Sequence, residues 1–337
     1  MQLRIPLLVF LFVLAAMPPA VCAQPAPAVP ATRTFDFEYV ARIPAADPGG
    51  GKLRVWIPVP ESDRYQSISR LRMESPAGYV LHRDPEYKNQ YAYLELAEEG
   101  SKAPLVVRLK FRVARREHKV RLPAASANGG QGKLPREVMR FLQPDKLVPL
   151  RGQISALAEQ ETEGLTRPLE KARAIYDYVV RTMKYDKSGE GWGRGDAIYA
   201  CTVRKGNCTD FHALLIGMMR AAGIPARFEI GFPLPAGKRE GEVTGYHCWA
   251  QFYLLGIGWV PVDASEAWKQ PALRDYFFSA HDPHRVLFTR GRDIRFNPAQ
   301  EGEALNYFIY PYAERNGMPL NDIAWEFRFR DVRAAPR

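Results

Sequence analysis

Three residues have the types and surroundings that nucleophilic acyl chemistry requires: Cys208, His247 and Asp263. Cys208 lies in KGNCTDFHALLIGMMRAAGIPARFEIGF, residues 205–232. This segment opens as a polar turn, continues as an amphipathic helix with Phe211, Leu214, Leu215 and Met218 on one face, and stops at Gly223 and Pro225. A strand, Arg227 to Phe232, is expected next. Asn207 is a good N-cap with Asp210 three residues on, which places Cys208 in the first helical turn, where unpaired backbone N–H groups favour a thiolate. A free thiol with a pKa of about 8.5 is ionised to only a few per cent at neutral pH, and a helix start or a neighbouring imidazolium lowers that pKa by units. Asp210 opposes ionisation if its carboxylate faces the sulfur rather than the backbone.

The segment GYHCWAQFYLLGIGWVPVDASEA, residues 245–267, reads as a β-hairpin. His247, Trp249, Gln251 and Tyr253 share one face, and Cys248, Ala250, Phe252 and Leu254 the other. With Leu255, Gly256 and Ile257 as the loop, Leu254 pairs with Gly258 and Asp263 falls opposite Trp249, diagonal to His247 on the same face. A diagonal pair is about 7 to 8 Å apart at Cα, within reach of a carboxylate bonding an imidazole nitrogen. A slip of one residue would put the two on opposite faces, so the turn decides the site. In this reading Cys208 is the nucleophile, His247 takes its proton and later gives one to the leaving amine, and Asp263 fixes the imidazole tautomer. The reaction is acyl transfer through a thioester. Its oxyanion would be met by the backbone N–H of Cys208, and a second candidate donor is the indole of Trp192 in the turn GEGWGRGD, a ring whose plainer use is packing under a loop.

Four linked stretches, RKGNCTDFHALL, AAGIPARFEIGF, YHCWAQFY and GWVPVDASEA, make residues about 168 to 270 resemble the transglutaminase-like superfamily, a circularly rearranged relative of papain-type cysteine peptidases. The resemblance implies an α+β core with the nucleophile helix packed on an antiparallel sheet that holds His247 and Asp263. It also implies that the GRDI segment (291–294) and the NYFIYPY stretch (306–312) add strands to that sheet. The family includes cross-linking transglutaminases, cysteine peptidases, amidases and inactive members, so fold alone does not give the substrate. The expected function is thiol-dependent acyl transfer on protein or peptide amides, with an amine or water as acceptor. The alternatives are a cysteine peptidase or amidase of the cell envelope and, from another class, an inactive exported binding or scaffolding module. No DxDxDG loop or dense carboxylate cluster is present, so calcium dependence is not implied, and the reading calls for no cofactor and no metal.

Zinc is the rival use of Cys201, Cys208, His247 and Cys248, but neighbours on a strand point to opposite faces, which disfavours His247 and Cys248 as joint ligands. Cys248 then reads as a buried residue behind the sheet, with a bond to Cys201 open to it and Cys208 the odd thiol. A Cys201–Cys208 bond would instead block the nucleophile. His212, one helical turn after Cys208, reads as a helix histidine bonding backbone or solvent, with contact to the site as its other use. His281 and His284, separated by Pro283, read as loop residues.

The elements that must position this site form a two-domain α+β chain. Phe35, Phe37 and Tyr39 alternate with polar residues, as do Leu53 to Val59, Tyr91 to Leu96 and Val107 to Val113. An N-terminal antiparallel β-sandwich over 33–123 follows from these short strands. The stretch 124–150 is linker and first helical segment, and 151–330 is the transglutaminase-like domain, whose clearest helix is Leu169 to Met183 after Pro168. Arg4, the apolar run Ile5 to Ala16, and Val21 and Ala23 before Gln24 read as a signal peptide over 1–23, followed by a Pro/Ala-rich lead-in over 24–32. Twelve apolar residues fall short of the roughly 20 that span a bilayer, so a periplasmic or secreted protein with no stable membrane span is expected. The full chain has 337 residues, 46% hydrophobic and 25% charged, which excludes a disordered, collagen-like or polytopic membrane class. Its formal charge is +10, and losing the single Arg of residues 1–23 leaves +9. That balance suits an anionic cell-envelope polymer as a second partner beside the protein or peptide substrate, with no nucleic acid expected. The basic run Arg108 to Arg121 fits such a polymer, or a solvated strand face guarding a sheet edge.

Overall fold

The computed structural model describes residues 32–45, 51–96, 103–122 and 132–332. The signal peptide, the lead-in up to residue 31 and the linker stretch 123–131 lie outside the described residues.

The N-terminal strands are β1 (Thr32–Ile43), β2 (Leu53–Pro58), β3 (Gln66–Glu74), β4 (Val80–Arg83), β5 (Gln90–Leu96) and β6 (Leu105–Arg116), of which β3 and β4 are mostly exposed. On β6, Leu105, Val107, Leu109, Phe111 and Val113 are buried and the residues between them are not, as a strand with one wet face requires. After a short β7 (His118–Lys119) the chain turns helical: α1 (Gln153–Glu161), α2 (Pro168–Thr182), β8 (Lys184–Tyr185), α3 (Ala197–Val203), β9 (Lys205–Gly206) and α4 (Cys208–Ala221). There follow β10 (Ala226–Pro233), β11 (Glu240–Glu242), β12 (His247–Leu254), β13 (Gly258–Val262), α5 (Ala264–Lys269) and α6 (Arg274–Phe277). The chain closes through β14 (Ala280–His281), β15 (Arg285–Arg290), β16 (Tyr312–Arg315), β17 (Met318–Pro319) and β18 (Ala324–Asp331). Among the described residues no helix is long and apolar enough to cross a membrane.

The core is a four-stranded antiparallel sheet, β13-β12-β10-β15, with α4 packed on it. Residues Cys208 to Arg220 of α4 are all buried, because α1, α2 and α3 cover the side that the sheet does not. The helix is therefore a central post, and its N-terminus is fixed relative to β12 by packing all round.

Two five-stranded sheets, β11-β18-β1-β6-β3 and β17-β16-β2-β5-β4, and two short pairs, β14-β7 and β8-β9, make up the rest among the described residues. The expected division after residue 123 does not follow them. β18 pairs with β1 from Phe35↔Asp331 to Arg42↔Ala324, and β16 pairs with β2. Each N-terminal sheet is thus finished by strands from the last part of the chain. Apolar alternation identifies a strand but not its partner, and the pairing across almost 300 residues leaves no mark in local pattern.

The outer sheets and the core sheet also share one apolar interior. Phe232 of β10 lies 4.2 Å from Phe327, 5.1 Å from Phe288 and 5.4 Å from Phe37, measured between ring centroids. The opposite face of β2 and β5 is buried as well: Trp56, Tyr91 and Tyr93 pack with Ile294, Phe296 and Phe308. That packing corrects the expectation for GRDI and NYFIYPY. The fourth core strand is RVLFTR, just before GRDI, while GRDI contributes an isolated bridge, Ile294↔Leu305, and NYFIYPY leads into β16 of an outer sheet.

The basic run is placed differently too. β6 is an interior strand, so it guards no edge, and its cations meet acids on neighbouring strands. Arg112 bonds Asp36 through Nε at 2.7 Å and Nη2 at 2.8 Å, Arg108 reaches Glu38 at 2.7 Å, and Lys110 reaches Glu74 at 3.3 Å. His281 is not a loop residue but part of β14, buried and paired with His118. Because one interior serves every sheet, Phe232→Ala should cost about 3–5 kcal/mol. Chemical denaturation followed by both fluorescence and far-UV circular dichroism should show a single transition shifted by that amount. Two transitions, with one unmoved, would contradict the shared core.

Candidate active site

The site begins with the cap of α4. The Asn207 side chain accepts the N–H of Thr209 at 2.9 Å, and Asp210 reaches back to the N–H of Asn207 at 2.9 Å, closing a reciprocal cap around Cys208. Asp210 faces the backbone, away from the opposing role the sequence left open to it. It also accepts the N–H groups of Gly193 at 2.7 Å and Gly195 at 3.0 Å. Burial pushes the Asp210 carboxyl up, and these backbone donors pull against it. Glycine is needed where the two segments meet: a Cβ on Gly206, at φ +154°, would lie 2.2 Å from Asp210 Oδ2. The GEGWGRGD turn is thereby clamped to the nucleophile helix.

The hairpin closes in the register set by its three-residue turn, with Leu254 opposite Gly258 and Ala250 opposite Val262. One step further brings Asp263, the N-cap of α5, to His247, and His247 Nε2 lies 2.8 Å from Asp263 Oδ2. With Nε2 engaged, Nδ1 is left for the sulfur of Cys208, whose side chain hydrogen-bonds the imidazole. The relative exposures are 2% for Cys208, 5% for His247 and 0% for Asp263.

Electrostatics follow from that packing. Burial opposes the Cys208 thiolate, yet hydrogen bonds from Cys248 and His247 and the charge of His247 prevail and hold its pKa well below the ordinary thiol value. Burial likewise opposes the imidazolium, but Asp263 and Cys208 raise His247 to about 9. Against burial, His247 and Arg285 keep the Asp263 carboxyl well below the usual range. Both shifts favour a thiolate beside an imidazolium.

Several residues of this shell were not legible as such. Arg285 Nη1 donates to Asp263 Oδ2 at 3.0 Å, its Nη2 bonds Asp282, and its guanidinium lies 4.7 Å from the Trp249 ring. His212 bonds backbone, as one of its two readings held, and touches the site as well. Its Nε2 accepts the N–H of Ala264 at 3.2 Å, so Nδ1 carries the proton and donates to the carbonyl of Cys208 at 2.7 Å. One neutral imidazole thus ties the start of α4 to the start of α5. The i, i+4 spacing of Cys208 and His212 was the available signal.

Trp192 requires correction as an oxyanion donor: its indole N–H donates to the carbonyl of Gly189 at 3.0 Å, and so is spent within its own turn. Cys201, Cys208 and Cys248 are all free thiols, so neither Cys201–Cys248 nor Cys201–Cys208 is bonded. Among the described residues no three His, Cys, Asp or Glu side chains are grouped to hold a metal ion. Over the site lie tyrosines. The Asn207 amide donates to the Tyr246 hydroxyl at 3.1 Å, and Tyr246 packs 5.5 Å from Tyr307, centroid to centroid. Burial and the nearby Cys208 charge push both phenols up. A cavity of about 350 Å³ beside them is lined by Gly193, Arg194, Asn306 and Tyr307.

Residues 155–264 match the model of the transglutaminase-like superfamily. An uncharacterized protein of Haemophilus influenzae is 29% identical over 324 residues, which is 85% of this chain and 87% of that one. YebA of Bacillus subtilis, also uncharacterized, is 26% identical over 147 residues, 40% of this chain and 20% of YebA. A crystal structure of a candidate cysteine protease from Cytophaga hutchinsonii superposes with a TM-score of 0.58 at 17% identity, over 90% of this chain and 93% of the other. The chain carries a transglutaminase-like core, an α+β cysteine-enzyme fold.

The ion pair makes a pH prediction. Because the Cys208 pKa is lowered, its thiolate should persist below neutrality and vanish as pH falls through the lowered value. Because the His247 pKa is raised, protonated His247 stabilises the fold fully below the ordinary imidazole value of 6.5, and that contribution fades as pH rises through about 9. Iodoacetamide labelling of Cys208, read by mass between about pH 6 and about 8, should therefore be nearly level in the wild type. In His247→Ala it should be about tenfold slower at neutral pH or lower still, and should climb with pH. Matching profiles for the two proteins would refute the pair.

Proposed function

We propose that this transglutaminase-like core performs thiol-dependent acyl transfer on protein or peptide amides. The single observation that carries the reading is the assembly of a lowered-pKa Cys208 with a His247 whose far nitrogen is bonded at 2.8 Å by buried Asp263.

In the proposed cycle Cys208 Sγ attacks the amide carbon, and the oxyanion meets the N–H of Cys208 at the helix start. His247 passes its proton to the departing amine as the C–N bond breaks, leaving a thioester and a neutral imidazole. That imidazole takes a proton from the acceptor, an amine or water, whose attack releases Cys208. Asp263 holds the ring in one tautomer throughout, and Arg285 fixes Asp263. Cys208 is nearly closed off, so neighbouring groups must move for a donor to reach the sulfur. The signal-like composition of residues 1–23 supports work outside the cytoplasm, with a protein or peptide as partner.

Incubating the protein with a glutamine-containing peptide and a primary amine, with products read by mass, separates the acceptors: amide exchange reports the amine, deamidation or cleavage reports water. Cys208→Ala should abolish product, and Asp263→Asn should lower turnover by about 10²–10⁴-fold while leaving the fold intact. No product from the wild type over a varied peptide set would remove the enzyme reading and leave a binding module.

A further inference from the structure

The residue after the histidine is a second thiol, and the proposed cycle has no use for it. Cys248 lies on β12 in register with Ile230 of β10, and it is fully buried. Its Sγ is 3.6 Å from His212 Nδ1, the same nitrogen that bonds the carbonyl of Cys208 at 2.7 Å. The side chains of Cys208 and Cys248 hydrogen-bond each other, and the backbone N–H of Cys248 also bonds Cys208. Cys201, in contrast, sits on α3, where the charge bearing on it is Arg204 rather than another sulfur. Two thiols therefore meet at the start of α4, and their hydrogen bond lowers the pKa of Cys208 and raises that of Cys248.

We propose that Cys248 is a resolving thiol that converts oxidised Cys208 into a Cys208–Cys248 disulfide, a reversible modification that shuts the site. The inference rests on Cys208 being the site's thiolate. The oxidant is a hydroperoxide. The Cys208 thiolate attacks one peroxide oxygen, an S–O bond forms as O–O breaks, and the departing hydroxide takes the His247 proton to leave as water (from an organic hydroperoxide, as the alcohol). Cys248 sulfur then attacks the sulfenic sulfur: S–S forms, S–O breaks, and the Cys248 proton leaves with hydroxide as a further water. The two sulfurs lose two electrons, which reduce the peroxide, and a dithiol restores both thiols by exchange. Without Cys248 the sulfenic acid would meet a second peroxide and pass to sulfinic acid, which dithiols do not reverse.

The test uses the full mature chain, reduced and then exposed to hydrogen peroxide. Iodoacetamide labelling of Cys208 should be lost and then recovered with dithiothreitol, and non-reducing peptide mapping should find the Cys208 peptide joined to the Cys248 peptide. In Cys248→Ser, Cys208 should gain two oxygens and the fraction recovered should fall severalfold, while Cys201→Ser should behave as wild type. Unlinked Cys208 after oxidation, a link to Cys201, or full recovery in Cys248→Ser would each overturn the proposal. Linkage mapping on the wild type needs no variant to fold, and it is independent of turnover. A link in a protein that fails the amide-exchange assay removes the acyl-transfer reading alone, and exchange without a link removes the disulfide alone.

Discussion

A row of ionisable groups of alternating sign, buried except for the partly exposed Asp282, governs this molecule: Cys208, His247, Asp263, Arg285 and Asp282, each beside the next. Burial penalises every one of them, and each is tolerated because its neighbours carry the opposite sign. Removing one member leaves an uncompensated charge in the interior. The row also explains why so much of the core sheet is polar in an otherwise apolar setting. Glu229 sits in the same sheet under a similar constraint, receiving Trp249 Nε1 at 2.7 Å, Gln251 Nε2 at 2.9 Å and Arg290 Nε at 2.7 Å.

Holding such a row requires rigid supports on every side. The thiol comes from a helix end, the imidazole from the first residue of a strand, and the carboxylate from the cap of the next helix. Their relative placement is fixed by α4 being enclosed, by the hairpin register, and by His212 linking the two helix starts. The outer sheets contribute at a distance, through the aromatic interior around Phe232 that fixes the back of the core sheet.

Much of the site could be read before the fold was seen, and the reasons are local. The cap of Asn207 and Asp210 depends on three-residue spacing, and the approach of His247 to Asp263 depends on a three-residue turn between two regular strands. What escaped was non-local. Arg285 lies 22 residues beyond Asp263 and belongs to another strand, so no spacing rule leads to it. The tie of Asp210 to Gly193 and Gly195 joins two loops that lack a common periodicity. Trp192 carried the right chemical group, but its orientation depended on a carbonyl of its own turn. The pairing of β1 with β18 escaped for the same reason, as did the acids that neutralise the basic face of β6.

That pairing has a consequence for how the molecule comes into being. β1 is made first and is held between β6 and β18, and β2 likewise waits for β16. A nascent chain carries two half-finished sheets with open edges until β16 and β18 have been synthesised. Helix α4 and the β12–β13 hairpin, by comparison, are close neighbours in the chain and have their pairing partners at hand sooner. The order of assembly therefore runs from the core sheet outward, with β16 and β18 closing the two outer sheets like a clasp.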